Sequence, residues 1–277
     1  MTAPTARRRV VEWVDGVSRA HEDRLIAEEP LEIRISAPGA SARRLGVTMR
    51  TPGHDFELAA GLVLSEGVVA GHEAISGIAY CTDADLTEEQ RFNVVTVALA
   101  SEPARTWQER SLRATSACGV CGTDSLDEVD DLVSQLPERA PAGDAWEPAA
   151  LAALPTLLRR HQRHFDRTGG AHAAGLFGRD GTVVVVREDV GRHNAVDKAV
   201  GHALLHDVRT DGLALCTSGR IGFEIVQKAA VAGVSAVVGV GAPTTLAARL
   251  CDRASVTLAG FARDGRVVVY ADPTQAS

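Results

Sequence analysis

Three apolar runs in the last third of the chain, VVVV at 183–186, LALC at 213–216 and AVVGV at 236–240, constrain its fold most. Each is too short for a helix and lacks strict alternation, the signature of a strand buried on both faces. Each is followed by a polar or glycine-containing loop and then by helical spacing. The units are 183–187, loop 188–193, helix from 194; 213–217, Ser218-Gly219-Arg220, helix through 233; and 236–240, Gly241-Ala242-Pro243, helix from 244. Strands buried on both faces need helices to cover them, so the reading is a mixed α/β sheet. Two strand-turn-strand signals flank these units: 171–177 and 183–187 about Asp180-Gly181, and 255–261 and 266–270 about Asp264-Gly265. The segments AGLFGRDGTVVVV and LAGFARDGRVVVY are alike, and shared turn chemistry is sufficient to account for that.

The first third reads as α+β. Residues 9–15, 31–36 and 45–50 are short β-rich runs bounded by Pro and Gly, and 75–81 and 92–99 return to strand character. Phe56, Leu58, Ala59, Leu62 and Val63 recur at helical spacing over 55–66, ended by Gly67. Residues 124–143 are polar, and the run Asp127-Glu128-Val129-Asp130-Asp131 reads as a solvated helix face leading into a linker. A helix is predicted over 148–167, with Pro155 implying a break or a late start. The organisation expected is a smaller N-terminal domain, 8–115, and a main domain, 116–277.

The chain's 277 residues are 45% hydrophobic and 23% charged, enough apolar material to form a core without disulfides or metal. The net charge of −7, with no lysine-rich tail or stripe, argues against sequence-independent nucleic-acid binding, which rests on clustered cations. A nucleotide site needs only local anion contacts. Arg7-Arg8-Arg9 precedes Val10-Val11-Glu12-Trp13-Val14-Asp15, too short and acidic for a signal-peptide core. No apolar run approaches the roughly 18 residues of a membrane helix. The expectation is a cytoplasmic protein without a membrane partner, where paired cysteines point to metal or catalysis rather than a structural bridge.

The sharpest local feature is Ser116-Ala117-Cys118-Gly119-Val120-Cys121-Gly122-Thr123. Three chemistries compete for a Cys-x-x-Cys loop. Structural zinc needs two more ligands, but Cys81, Cys216 and Cys251 stand alone, and His161 and His164 share a segment with Arg159, Arg160, Arg163 and Arg167 that reads as an exposed basic face. A redox pair asks for a strand before it and an apolar helix behind it, and that helix is lacking. A nucleophilic thiol on a glycine loop beside Arg110 and Arg113 is the third reading, with the arginines favouring thiolate. Residue pattern alone does not rank it far above redox exchange. Zinc deaminase chemistry is excluded, since no His-x-Glu occurs and Ala117 holds the position of the required Pro.

A second constellation lies where the buried strands end. Glu188, Asp189, Gly191, Arg192, His193 and Asn194 follow the first; Ser218, Gly219 and Arg220 the second; Gly241, Thr244 and Thr245 the third. Open α/β sheets bind ligands at this edge, and arginines there make bidentate contacts to phosphate. Any one loop is explained by helix capping alone; three on one edge favour a polyanionic small molecule. Neither a GxGxxG nor a Walker A pattern is present, which disfavours a dinucleotide dehydrogenase or P-loop ATPase. His172, after Gly169-Gly170-Ala171, reads as structural.

The ordered motifs ACGVCG, TGGAHAAGLF, REDVGRHNAVDKAVG, SGRIGFEIVQKAA, GAPTTLA and TLAGFARDGRVVVY, with LAAGLVLSEGVV near the N-terminus, resemble the formate dehydrogenase accessory sulfurtransferase family, FdhD. The resemblance covers nearly the whole chain. It implies a sulfurtransferase that takes sulfur from a cysteine desulfurase as a cysteine persulfide. The recipient implied is the molybdenum bis-guanine-dinucleotide cofactor, bound as substrate before insertion into formate dehydrogenase and mimicked by guanine nucleotides. It further implies a cytidine-deaminase-like main domain without zinc, a smaller N-terminal domain and a homodimer. Carried onto this chain, Cys118 is the persulfide carrier and Cys121 its partner. The family's cofactor segment matches Phe261, Ala262, Arg263, Asp264, Gly265 and Arg266, with Phe261 suited to stack on guanine and the arginines to meet phosphates. Arg192, His193, Ser218 and Arg220 complete the expected cofactor site.

Overall fold

A computed structural model describes residues 3–81, 87, 92–104 and 145–274. Cys118 and Cys121 lie outside the described residues, as does the polar stretch 124–143. Three sheets organise the rest. A two-stranded ribbon joins β1 (Thr5–Val14) to β2 (Val17–Ile26). A four-stranded sheet in the order β4-β3-β6-β5 comprises β3 (Glu29–Ser36), β4 (Arg43–Arg50), β5 (Ile75–Tyr80) and β6 (Val94–Leu99). A six-stranded sheet in the order β12-β11-β10-β9-β7-β8 comprises β7 (His172–Phe177), β8 (Val183–Asp189), β9 (Ala214–Thr217), β10 (Ala236–Gly239), β11 (Thr257–Arg263) and β12 (Arg266–Ala271).

The helices are α1 (Asp55–Ser65), α2 (Pro148–Arg159), α3 (Arg163–Thr168), α4 (Arg192–Leu205), α5 (Phe223–Ala232) and α6 (Thr245–Ala254). In β3 every second side chain, Leu31, Ile33 and Ile35, is buried, as period-two alternation requires. Helix α1 is instead buried almost all round, because it lies between the four-stranded sheet and α4. A Cβ on Gly201 would overlap the Glu57 carbonyl, and one on Gly61 that of Asp197, so these two glycines let the helix backbones touch. One core of apolar side chains runs from Leu31 through α1 and α4 to Leu258, and a smaller one packs α2 on the opposite face of the large sheet. Among the described residues, no helix is long and apolar enough to cross a membrane.

The expected mixed α/β architecture is present, with several details changed. The segment predicted as one helix over 148–167 is two, broken at 160–162 rather than at Pro155. Pro155 is itself buried within α2, where packing of Leu151, Leu154 and Leu158 outweighs one lost backbone hydrogen bond. Strand β8 is not a lateral neighbour of β9, because β7 runs between them, antiparallel to both. The two Asp-Gly hairpins also differ. Asp264 and Gly265 both have positive φ in a two-residue turn, whereas Gly178 and Thr182 bracket a wider loop in which the Asp180 carboxylate accepts from Thr182 N and Oγ1. Strand β2 was not anticipated, as both faces of the ribbon are largely exposed and no apolar periodicity marks it.

Candidate functional site

Strands β8, β9, β10 and β11 all point the same way, so their C-terminal ends share one edge, joined there by the start of β7. Ser218 closes that edge: its N–H donates to Ala173 O at 2.9 Å, and its Oγ accepts from Ala173 N at 3.0 Å. The same Oγ lies 3.4 Å from His172 Nδ1. His172, read from sequence as structural, therefore stands at the site. Burial pulls its pKa down, and the Arg192 charge adds to that effect. The loops after β9 and β10 nearly touch, since a Cβ on Gly241 would lie 3.0 Å from both Arg220 Cα and Gly219 O. Phe261 N donates to Gly241 O at 3.2 Å, which binds the final hairpin to the same edge.

Every carboxylate of the first loop is engaged within the protein. Glu188 accepts from the backbone N–H groups of His164 and Phe165, both at 2.8 Å, and so caps α3. Asp189 is fully buried and pairs with Lys198 Nζ at 2.7 Å. It also accepts from Thr51 N at 3.1 Å, Gly191 N at 2.8 Å and Asn194 Nδ2 at 3.1 Å. That node ties the start of α4, hence Arg192 and His193, to the end of β4. His193 turns toward α5, with Nε2 3.1 Å from Glu224. Burial, then the charges of Lys228 and Arg192, pull its pKa down to about 3, so the ring is neutral at physiological pH. Thr244 is likewise committed, its hydroxyl accepting from Ala247 N to cap α6.

The arginines are differently placed. Arg192 Nε is buried without a hydrogen-bond partner among the described residues. An open cleft of about 480 Å³ is walled by Ser218 and Val240 from the strand ends, Arg263 and Asp264 from the hairpin tip, and Arg159 and Arg160 from the end of α2. Arg159 is held by Asp166 at 2.6 Å and stacks on Phe165. The basic segment read as merely solvated thus forms one wall of the cleft, a placement that only tertiary structure reveals. Of the expected cofactor residues, Ser218, Arg263 and Asp264 meet here. Phe261 and Arg266 are not among the residues that wall it; Phe261 is 39% exposed with Arg266 over its ring, and Gly265 forms the turn. Arg220 is exposed at the edge, while Ala262 is fully buried and supports the hairpin from beneath.

Three cysteines fall among the described residues. Burial pushes the Cys216 and Cys251 thiols well above their ordinary range, so neither is a nucleophile. Cys81 is half-buried, its sulfur 3.8 Å from Arg34 Nη1. A cluster of Glu57, His202 and His206 brings potential metal donors together, but the Arg187 guanidinium already forks onto Glu57, with Nη2 at 2.6 Å.

Fold and site define a mixed α/β protein with an arginine-walled cleft along the strand-end edge of its main sheet. Residues 26–277 match the sequence model of the FdhD/NarQ family, and the chain belongs to that family. It is 46% identical over 275 residues to the sulfur carrier protein FdhD of Streptomyces coelicolor, covering 96% of this chain and 94% of the relative. The Mycobacterium tuberculosis protein of that name is 44% identical over 274 residues, covering 96% of both chains. A solved structure of a formate dehydrogenase accessory protein from Desulfotalea psychrophila superposes with a TM-score of 0.73 over 97% of both chains at 22% identity, a likeness of fold.

Proposed function

We propose that this protein is a cytoplasmic sulfur carrier that serves the maturation of formate dehydrogenase. Cys118 accepts sulfur as a persulfide from a cysteine desulfurase and delivers it to the molybdenum bis-guanine-dinucleotide cofactor held in the arginine-walled cleft. The observation that carries this reading is the convergence of Ser218, Arg263 and Asp264 with Arg159 and Arg160 around one open cleft. A small molecule with two pyrophosphates needs such paired guanidinium contacts. Family membership and the shared name of the relatives support the sulfur-carrying half. The inert thiols of Cys216 and Cys251 leave Cys81, Cys118 and Cys121 as carriers, and the Cys-x-x-Cys loop favours the Cys118–Cys121 pair.

The chemistry is thiol exchange. The Cys118 thiolate attacks the outer sulfur of the desulfurase persulfide, a sulfur–sulfur bond forms on Cys118, and the desulfurase cysteine leaves as thiolate. The outer sulfur then passes to the metal of the bound cofactor. Cys121 assists release by attacking the inner sulfur of Cys118, leaving a Cys118–Cys121 disulfide. At the cleft, Arg263 and Arg160 receive phosphates, Phe261 stacks on guanine, and Asp264 accepts from the guanine amine and imine. The main domain is cytidine-deaminase-like in this reading, and the protein acts as a homodimer.

The test is intact-mass measurement after incubation with a desulfurase and cysteine. One added sulfur atom that is lost on reduction, and absent from Cys118→Ala, is the expected result. No adduct under any condition would overturn the proposal.

A further inference from the structure

Among the described residues, the β1–β2 ribbon has no partner that explains it. It belongs to neither larger sheet, and all of it but Ile26 precedes the residues matched by the family, 26–277. A two-stranded ribbon standing alone is marginally stable in water. This one nevertheless carries ten residues per strand, with Val11, Trp13, Val14 and Val17 all more than half exposed, Trp13 at 69% and Val17 at 72%. The base of β2 rests against α3 and Gly170, whereas the outer edge of β1 pairs with nothing among the described residues.

The register states what that edge offers. Val14 faces Val17 across the two-residue turn, and Ala27 N donates to Pro4 O, so even-numbered β1 residues direct their main-chain groups to β2. Odd-numbered residues, from Thr5 to Trp13, direct theirs outward. A second β1 pairing antiparallel must therefore set odd residues against odd ones. With a two-fold axis at Val10, Arg8 opposes Glu12 of the second copy and Glu12 opposes its Arg8. Arg7 meets the partner's Trp13 in a cation–π contact, and the two Val10 side chains meet on the axis. An axis at Arg9 would oppose two arginines, and one at Val11 would leave Glu12 against Val10 with no directly opposed ion pair between strand residues. The sequence is self-complementary in one register, the condition for an isologous interface.

We propose that the outer edge of β1 is an interaction surface completed by β1 of a second copy, forming a continuous four-stranded sheet across a two-fold axis at Val10. This specifies where the homodimer of the proposed function forms, and it rests on that dimeric reading. Val11→Pro removes an outward N–H while leaving the ribbon's own hydrogen bonds, a change edge strands tolerate. In analytical ultracentrifugation it should weaken the dimer at least about tenfold, by loss of main-chain bonds. Glu12→Arg should weaken it too, and Arg8→Glu combined with Glu12→Arg should restore it. Val10→Cys, with Cys118 and Cys121 changed to Ala, should form an intermolecular disulfide on mild oxidation. Circular dichroism and thermal unfolding monitor folding in each variant. A dimer whose dissociation constant is unmoved by both Val11→Pro and Glu12→Arg would overturn this interface and leave the homodimer standing. A wild-type chain monomeric at tens of micromolar would overturn both.

Discussion

Replacing Lys198 with Met separates a buried ion pair from the packing around it. Met retains most of the stem volume and removes only the ammonium. Lys198 and Asp189 side chains are 1% and 0% exposed, with 2.7 Å between Nζ and the carboxylate. The variant leaves Asp189 with the Thr51, Gly191 and Asn194 donors but without its counter-charge, and the Thr51 carbonyl loses the ammonium donor at 2.8 Å. Removing one partner of a buried pair costs about 3–5 kcal/mol. At roughly 2–4 °C per kcal/mol for a chain of this size, the melting temperature should fall by about 6–20 °C. Differential scanning calorimetry of Lys198→Met, Asp189→Asn and the double variant completes the cycle. The double variant should be more stable than Lys198→Met alone, because the uncompensated charge is gone. A Lys198→Met loss below about 1 kcal/mol, or a double variant no better than the single, would refute the view that this pair is what secures the Arg192 loop to the end of β4.

Arg160→Gln and Arg263→Gln should each weaken binding of guanosine diphosphate about tenfold to hundredfold, as loss of a charge-assisted contact of about 1.5–3 kcal/mol implies. Arg167→Gln, outside the cleft, should change little in the same calorimetric titration. Burial alone would raise the Glu57 pKa, but the Arg187 fork, with His54 and His202, holds the carboxyl well below the usual carboxylate range. The unfolded chain then binds more protons than the native one as pH falls below about 4.5, so this stabilisation is present above that pH and lost on descent through the lower native value. Arg187→Gln should flatten the slope of stability against pH in that acid window, read by chemical denaturation. Iodoacetamide at pH 8, followed by peptide mass mapping, should label Cys118 or Cys121 and spare Cys216 and Cys251 in the native protein.

Family membership was legible in motif order, and so was the class of the main sheet. LALC and AVVGV supply strands buried on both faces, whereas VVVV, read the same way, forms the half-buried strand β8 at the edge of the sheet. The local chemistry of Asp264-Gly265 was sufficient for a turn. Residues 9–15 read as a strand, but its partner β2 escaped notice because its apolar residues are not buried and so follow no period, although Val14-Asp15-Gly16-Val17 carries the turn signal. The break of 148–167 was placed at Pro155 by local rules, and long-range packing of the leucine stripe moved it.

Which loops face one another was decided by the tertiary structure alone. Loop composition marked Ser218 and Arg263 as candidates, but nothing local says that α2 lays Arg159 and Arg160 across from them, or that His172 sits beside Ser218. Nor does composition distinguish Glu188 and Asp189, consumed in capping α3 and pairing Lys198, from residues available to a ligand. Local sequence determines conformation through sterics, capping and apolar period, which act over a few residues. Site geometry depends on strand order, and that is settled by the burial of surfaces far apart in the chain.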